Sequence, residues 1–250
     1  MRMIPWATIV LVFCSACTPP GPSADRVVRR AFVLSAMVFR SGLEDIAGDS
    51  GAEARRVEVL RWLDTAGVTT ALEPEELKIL RAPLGTLTEQ QQKNAGWRSE
   101  GLGVLAWALN RRELDPFDVP TDAPAIAEAL GFMKPEGLEM LKSPELRSRS
   151  EREELARRLY LIHRRLRQAY DKKAGSRSIA QLARELKVDP VNLGLVDDDL
   201  AVSGIRLAEV PREVVRYTIS TVAERHRAAN WLLGDNPAYS EVSYALRGAR

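Results

Sequence analysis

Apolar residues recur at spacings of three and four along most of the chain, the period of helices that bury one face. In Arg26–Arg40 the stripe is Val27, Ala31, Leu34 and Val38, and Gly42 is expected to stop that helix. Ser50-Gly51-Ala52-Glu53 has the form of a capping box, opening a helix that passes through Arg61-Trp62-Leu63 and closes at Gly67. A short helix is predicted at Pro74–Leu80. Thr88-Glu89-Gln90-Gln91 is a second capping-box pattern. Its helix carries Trp97, Gly101, Val104, Leu105 and Ala108 on one side and ends near Asn110, before the loop ELDPFDVPTDAP. Short helices follow at Ala123–Leu130 and Pro135–Leu141. The longest helix is expected from Pro144, capped by Ser143, to about Lys173, with Leu155, Leu159, Ile162, Leu166 and Ala169 as its seam. Another short helix spans Ser178–Leu186.

The period then changes. Val191, Leu193 and Leu195 alternate, Asp197-Asp198-Asp199 turn the chain, and Leu200 and Val202 alternate again before Gly204. That pattern predicts a small β-hairpin over residues 191–204. A last long helix runs from Pro211 to Leu233, with Gly234 just beyond its end. Neither a fixed-period repeat nor a long Pro/Gly/Ser linker after Ala24 divides the chain. The expected architecture is mainly α: one multi-helix domain, residues 26–250, with one hairpin.

Composition changes this picture little. The chain has 250 residues, 45% hydrophobic and 28% charged, with a net charge of +2. Those values exclude wholesale disorder and a polytopic membrane protein. They also give no global reason to expect a polyanionic partner.

The beginning does change it. MRMIPWATIVLVFCSAC has a positive Arg2, a ten-residue apolar stretch from Ile4 to Phe13, and small Ser15 and Ala16 before Cys17. Ten residues cover about 15 Å as a helix, roughly half of a bilayer's hydrocarbon thickness. A cleaved signal over residues 1–16 is therefore expected rather than a spanning helix. Cys-Ser-Ala-Cys resembles the bacterial lipobox, and Cys17 is its lipidation site. Residues 17–25 then form a Pro-rich tether to the first helix. Two or more acyl chains at about 0.8 kcal/mol per buried CH₂ hold a soluble domain on a membrane. Thr18 after the cysteine, in place of Asp, favours the outer over the inner membrane by the same resemblance. The expected address is the bacterial cell envelope. The alternative is a plain cleaved signal that releases a soluble protein.

Both cysteines, Cys14 and Cys17, lie in this leader, so the rest of the chain holds no thiolate nucleophile, disulfide or Cys-ligated zinc. No Gly-x-Gly-x-x-Gly, phosphate loop, His-Glu-x-x-His or Gly-x-Ser-x-Gly occurs, and no cofactor or metal is expected.

Two polar clusters stand out. Glu224-Arg225-His226-Arg227 lies on the final helix, whose apolar stripe is Val215, Ile219, Val222, Ala229 and Leu233. One turn beyond Val222, His226 points inward, with Asn230 a turn further on. It reads either as a general base near neutral pH or as a hydrogen-bonded core histidine. The second cluster is Trp97-Arg98-Ser99-Glu100. Arg98 and Glu100 lie about 200° apart around a helix, so each needs a partner elsewhere. Arg98 with Glu224, and Glu100 with Arg225, is the expected cross-helix arrangement. It is either a structural network or a polar pocket walled by Trp97 and Trp231, suited to a small polar ligand.

The basic run Arg157, Arg158, Arg164, Arg165, Arg167, Lys172, Lys173 and Arg177 repeats every seven residues in part. It is expected as a solvated face opposite the leucine seam, or as a contact for anionic headgroups. His163 is expected to flank that seam. Without interleaved aromatics, nucleic acid is not expected as a partner.

WRSEGLGVLAWALNR, VNLGLVDDDLAVSG and VAERHRAANWLLGDNPAYSEV resemble a bacterial domain-of-unknown-function family, the one labelled 4272. Its signatures are a Trp-Arg-x-Glu helix start, an Asp-Leu-Ala turn and Glu-Arg-His-x-Ala-x-Asn-Trp, with Tyr239-Ser240 standing where the family commonly has Trp-Asp. The resemblance spans Arg26 to Leu246, implies one domain, and carries no mechanism with it.

The leading expectation is a membrane-tethered binding or interaction module, its partner an unknown protein or a small polar ligand. The alternative is a hydrolase-like enzyme using His226 with Glu224 or Glu100.

Overall fold

The structure, a computed structural model, describes residues 21–171, 178–189, 193, 195–234 and 236–242. The leader, Cys17, Lys172, Lys173, Arg177 and Val191 lie outside them. Among the described residues no helix is long and apolar enough to cross a membrane.

The fold is mainly α with a small antiparallel sheet. Its helices are α1 (Ala24–Asp45), α2 (Ala52–Thr65), α3 (Pro74–Arg81), α4 (Glu89–Ala108), α5 (Ala123–Ala129), α6 (Pro135–Lys142), α7 (Arg149–Tyr170), α8 (Ile179–Leu186) and α9 (Arg212–Leu232). Strands β1 (Leu195–Val196), β2 (Asp199–Val202) and β3 (Ile205–Arg206) lie between α8 and α9. Four long helices form a row, α1 on α4, α4 on α9 and α9 on α7. The short helices α2, α3, α5 and α6 pack against α1 at one end, while α8 lies against α7 at the other.

α4 is the spine of the row. Gly101 to Ala108 are all buried in succession, because α1 covers one side and α9 the other. A helix apolar all round must be covered all round. The single stripe expected for it is therefore only half of its buried surface. Thr88 and Gln91 close its N-terminus as the sequence predicts, the Thr88 N–H donating to Gln91 Oε1 at 2.9 Å. Burying a Leu or Phe contributes about 1.5–3 kcal/mol, and these four helices supply most of that burial.

Local expectations fail where tertiary contacts outweigh them. α1 does not stop at Gly42 but continues to Asp45. Leu43 is buried there, and the Glu44 carboxylate accepts from Arg40 at 2.7 Å and from the Gly85 N–H at 2.6 Å. Both contacts require another helical turn. Ser50 does not cap α2. Gly51 occupies that position at φ +94°, in the left-handed region that glycine tolerates, and Glu53 instead holds Arg56. α7 starts at Arg149 behind Ser148, not at Pro144 behind Ser143. The Arg147 N–H donates to the Ala108 carbonyl at 2.8 Å, and its guanidinium lies 4.8 Å over the Trp107 ring. Those contacts hold the preceding segment across the end of α4. Ser148 and Glu151 then form the capping box, the Ser148 N–H donating to Glu151 at 2.8 Å.

The hairpin gains a third strand. β1 pairs with β2 through Leu195–Leu200 and Val196–Asp199, and β2 with β3 through Ala201–Arg206 and Val202–Ile205. Asp197-Asp198 and Ser203-Gly204 all have positive φ, the conformation of tight two-residue turns. Asp199 is thus a strand residue rather than part of the turn. Its carboxylate takes Arg165 Nε of α7 at 2.8 Å. The expected solvated basic face is accordingly covered in part: Arg157, Arg158, Arg164 and Arg165 are half-buried, and Arg167 is exposed.

Candidate functional site

α9 lies between α4 and α7, so its polar residues face two different neighbours. Towards α4, Glu224 accepts from Arg98 Nη1 at 2.8 Å, from Arg227 Nη1 at 2.9 Å and from Tyr239 Oη at 3.2 Å. Burial works against the charge on Arg98, but Glu224, Tyr239 and Glu76 together outweigh it and hold the guanidinium above the usual arginine range. Burial, then Glu224, push the Tyr239 phenol well above its ordinary value. The arginines Arg30 and Arg98 lie over the Tyr239 ring at 5.6 and 5.3 Å. α4 carries glycine at position 101 because a Cβ there would overlap Tyr239 Oη. Glu73 completes this network by accepting the Tyr239 N–H at 2.6 Å.

One helical step on, Arg225 is fully enclosed. Its five N–H groups make five hydrogen bonds. Nε donates to Glu100 Oε2 at 2.9 Å, and Nη1 to the carbonyls of Asp115 and Pro116, both at 2.9 Å. Nη2 donates to the Val119 carbonyl at 2.7 Å and to Thr121 Oγ1 at 3.3 Å. Glu100 also takes the Thr121 N–H at 3.1 Å and its hydroxyl at 2.9 Å. A rigid fork of donors thus folds the loop from Asp115 to Thr121 over the α4–α9 junction. Both expected cross-helix pairs are formed, and every donor of Arg225 is engaged.

Towards α7, His226 is buried, with its Nδ1 3.5 Å from His163 Nδ1 and the Tyr160 ring packed edge-on. Burial depresses the His226 pKa to about 3, with a smaller push from His163. It depresses His163 to about 4, helped by Arg167. His226 Nε2 has no hydrogen-bond partner among the described residues. In the tautomer whose Nδ1 donates to His163, Nε2 is a bare acceptor, which costs less than an unmade donor. Neither Glu224 nor Glu100 hydrogen-bonds the imidazole, since arginines hold both. Asn230 is buried one turn further along.

The two tryptophans expected to wall one polar pocket have different neighbours. Trp231 is buried against Tyr239 at 5.9 Å, with Arg26 over its outer face at 5.5 Å. Trp97 instead packs on Tyr217 at 5.1 Å. Among the described residues, no cluster of three His, Cys, Asp or Glu side chains is placed to hold a metal ion.

One opening among the described residues lies beneath the Arg225 loop. It is a cleft of about 620 Å³ with three walls. Leu114 to Asp118 form the first, Leu155, Arg158, Leu159 and Ile162 of α7 the second, and Leu195, Val196, Ala201 and Gly204 of the sheet the third. The Ser203 N–H donates to Asp118 Oδ2 at 2.6 Å, joining loop to sheet at the rim. Arg225 lies at the base with every donor already engaged. Sequence reasoning missed this cleft, and it missed Tyr239, His163 and Arg158 as residues of consequence. The available signal was Phe117, an aromatic residue inside an otherwise Asp- and Pro-rich loop.

No curated protein and no solved structure matches the chain. A family model described as "Domain of unknown function (DUF4272)" matches residues 9–185. WRSEGLGVLAWALNR falls within that range, whereas VNLGLVDDDLAVSG and the Glu-Arg-His-x-Ala-x-Asn-Trp segment lie beyond it. The match therefore ends before Leu246, where the resemblance was expected to reach. With more than half of its length matched, the chain belongs to the DUF4272 family.

Proposed function

We propose that this chain is a lipid-anchored binding module of the bacterial cell envelope, with the cleft beneath the Arg225 loop as its binding site. The observation that carries the reading is the cleft itself. Its volume falls in the range of roughly 300–1,000 Å³ usual for ligand sites, and its lining combines apolar side chains with a few charged groups. Its loop wall is held by four of the five bonds of Arg225, so the opening is built before any ligand arrives. Preorganisation of this kind lowers the ordering cost of binding.

Native mass spectrometry of the full chain, extracted in mild detergent from its own envelope, tests the binding reading. Val196 is half-buried at the cleft wall, so Val196→Trp places a bulky ring in the opening. Wild-type protein is expected to carry a bound species that the variant lacks. Identical spectra from the two proteins would refute the site.

The anchor rests on the lipobox-like Cys-Ser-Ala-Cys ending at Cys17, and it places the domain on a membrane, the outer one favoured. Cys17→Ser is expected to move the protein from the detergent phase to the aqueous phase on Triton X-114 partition. Wild-type protein already in the aqueous phase would sink the anchor and leave the cleft standing.

A further inference from the structure

Two charges face the cleft with capacity left over. Arg158 is half-buried on α7 and makes no hydrogen bond or ion pair among the described residues. Its guanidinium therefore brings five unused donors to an apolar wall. Asp118, on the loop wall, accepts one backbone N–H from Ser203, and no cation pairs with it among the described residues. The remaining charges are occupied: Arg225 is held by Glu100 at 2.9 Å, and Asp115 has Arg112 at 3.6 Å. Arg158 and Asp118 line the same opening from different walls without forming an ion pair.

An uncompensated cation and an uncompensated anion across an apolar floor match a ligand with the opposite arrangement. We infer that the cleft takes a short apolar peptide with free ends, its carboxylate on Arg158 and its ammonium on Asp118, its side chains over Leu159, Ile162 and Leu195. This rests on the cleft being a binding site. A lone anion with an apolar tail fits less well, because Asp118 would repel it. A single amino acid carries both charges on one carbon, whereas consecutive Cα atoms are 3.8 Å apart. A peptide unit thus reaches two groups that do not touch each other. Carboxylate capture by a guanidinium fork is a strong, directional contact.

The test titrates leucyl-leucine, its N-acetyl derivative and its C-terminal amide into the full-length protein by calorimetry, with Arg158→Gln and Asp118→Asn alongside. Leucyl-leucine is expected to bind wild type and to lose about tenfold or more in affinity on either substitution, the size of one charge-assisted hydrogen bond. The amide is expected to be weak on wild type and indifferent to Arg158→Gln, and the acetylated peptide likewise indifferent to Asp118→Asn. Equal affinity for all three ligands, or for wild type and both variants, would overturn the inference. A neutral apolar dye, N-phenyl-1-naphthylamine, separates the two levels of the argument. If the dye binds wild type and is excluded by Val196→Trp while leucyl-leucine does not compete, the peptide inference fails and the cleft survives. If neither dye nor peptide binds, both fall.

Discussion

Arg225→Ala is expected to lower the unfolding free energy by about 3–5 kcal/mol, the range for removing one partner of a buried ion pair. The substitution strips Glu100, itself buried, of its counter-charge at 2.9 Å. It also orphans the carbonyls of Asp115 and Val119 and leaves Pro116 with the Val119 N–H as its one donor. For a domain of this size such a loss corresponds to a fall in Tm of roughly 10 °C or more, read by calorimetry or urea titration. Arg225→Lys is expected to recover less than half of it, since an ammonium has three donors and no fork. Glu100→Gln placed in the Arg225→Ala background should be milder than the sum of the two single changes, because no charge is then left buried alone. A loss below about 1 kcal/mol for Arg225→Ala would show the loop to be held by something other than this guanidinium. The same experiment bears on the cleft, whose first wall is the segment Arg225 secures: limited proteolysis should cut the variant near Asp115–Val119 long before the wild type.

The two ion pairs were legible because they sit on helices whose apolar stripes fix their rotation. Once Val215, Ile219 and Val222 are turned inward, Glu224 and Arg225 have few directions left. The expected side of Gly101, Val104 and Leu105 does the same for Arg98 and Glu100. The loop that wraps Arg225 was not legible, because its backbone carbonyls carry no sequence signature. Nor was Tyr239: its role depends on chain folding back to meet Glu73, which lies 166 residues away. His163 sits next to the leucine seam, and only the approach of α9 turns a flanking side chain into a partner for His226. Ser143 has Pro144 at the first helical position, but Ser148 has Glu151 three residues on to complete a capping box. Arg147 reaching the end of α4 holds the preceding segment out of the helix and favours the same start. Local rules place the elements, and contacts between distant segments decide their ends.

Stability is expected to fall as the pH drops below about 6.5, and His226 should carry much of that loss. Its pKa in the folded protein is about 3, against an ordinary value of 6.5. Between those values the unfolded chain binds a proton that the folded protein refuses, so acid favours unfolding. The contribution is fully present above pH 6.5 and shrinks by about 1.4 kcal/mol per pH unit on the way down. From pH 6.5 to 4.5 this amounts to roughly 2–3 kcal/mol for His226. His163, depressed to about 4, adds in the same direction, and Arg167 beside it opposes a second positive charge. The carboxylates with lowered pKa, Glu44 and Glu73 among them, start from 4.5. Their stabilisation is lost only below that pH, so the interval from 6.5 to 4.5 isolates the imidazoles. His226→Leu keeps the apolar contacts with α7 and removes the titrating group. In urea titrations its stability should change less steeply than that of the wild type across this interval, and the two curves should converge or cross towards pH 4.5. Parallel curves would mean that the imidazole is protonated in the folded protein at ordinary acidity, contrary to its enclosure between Tyr160 and His163.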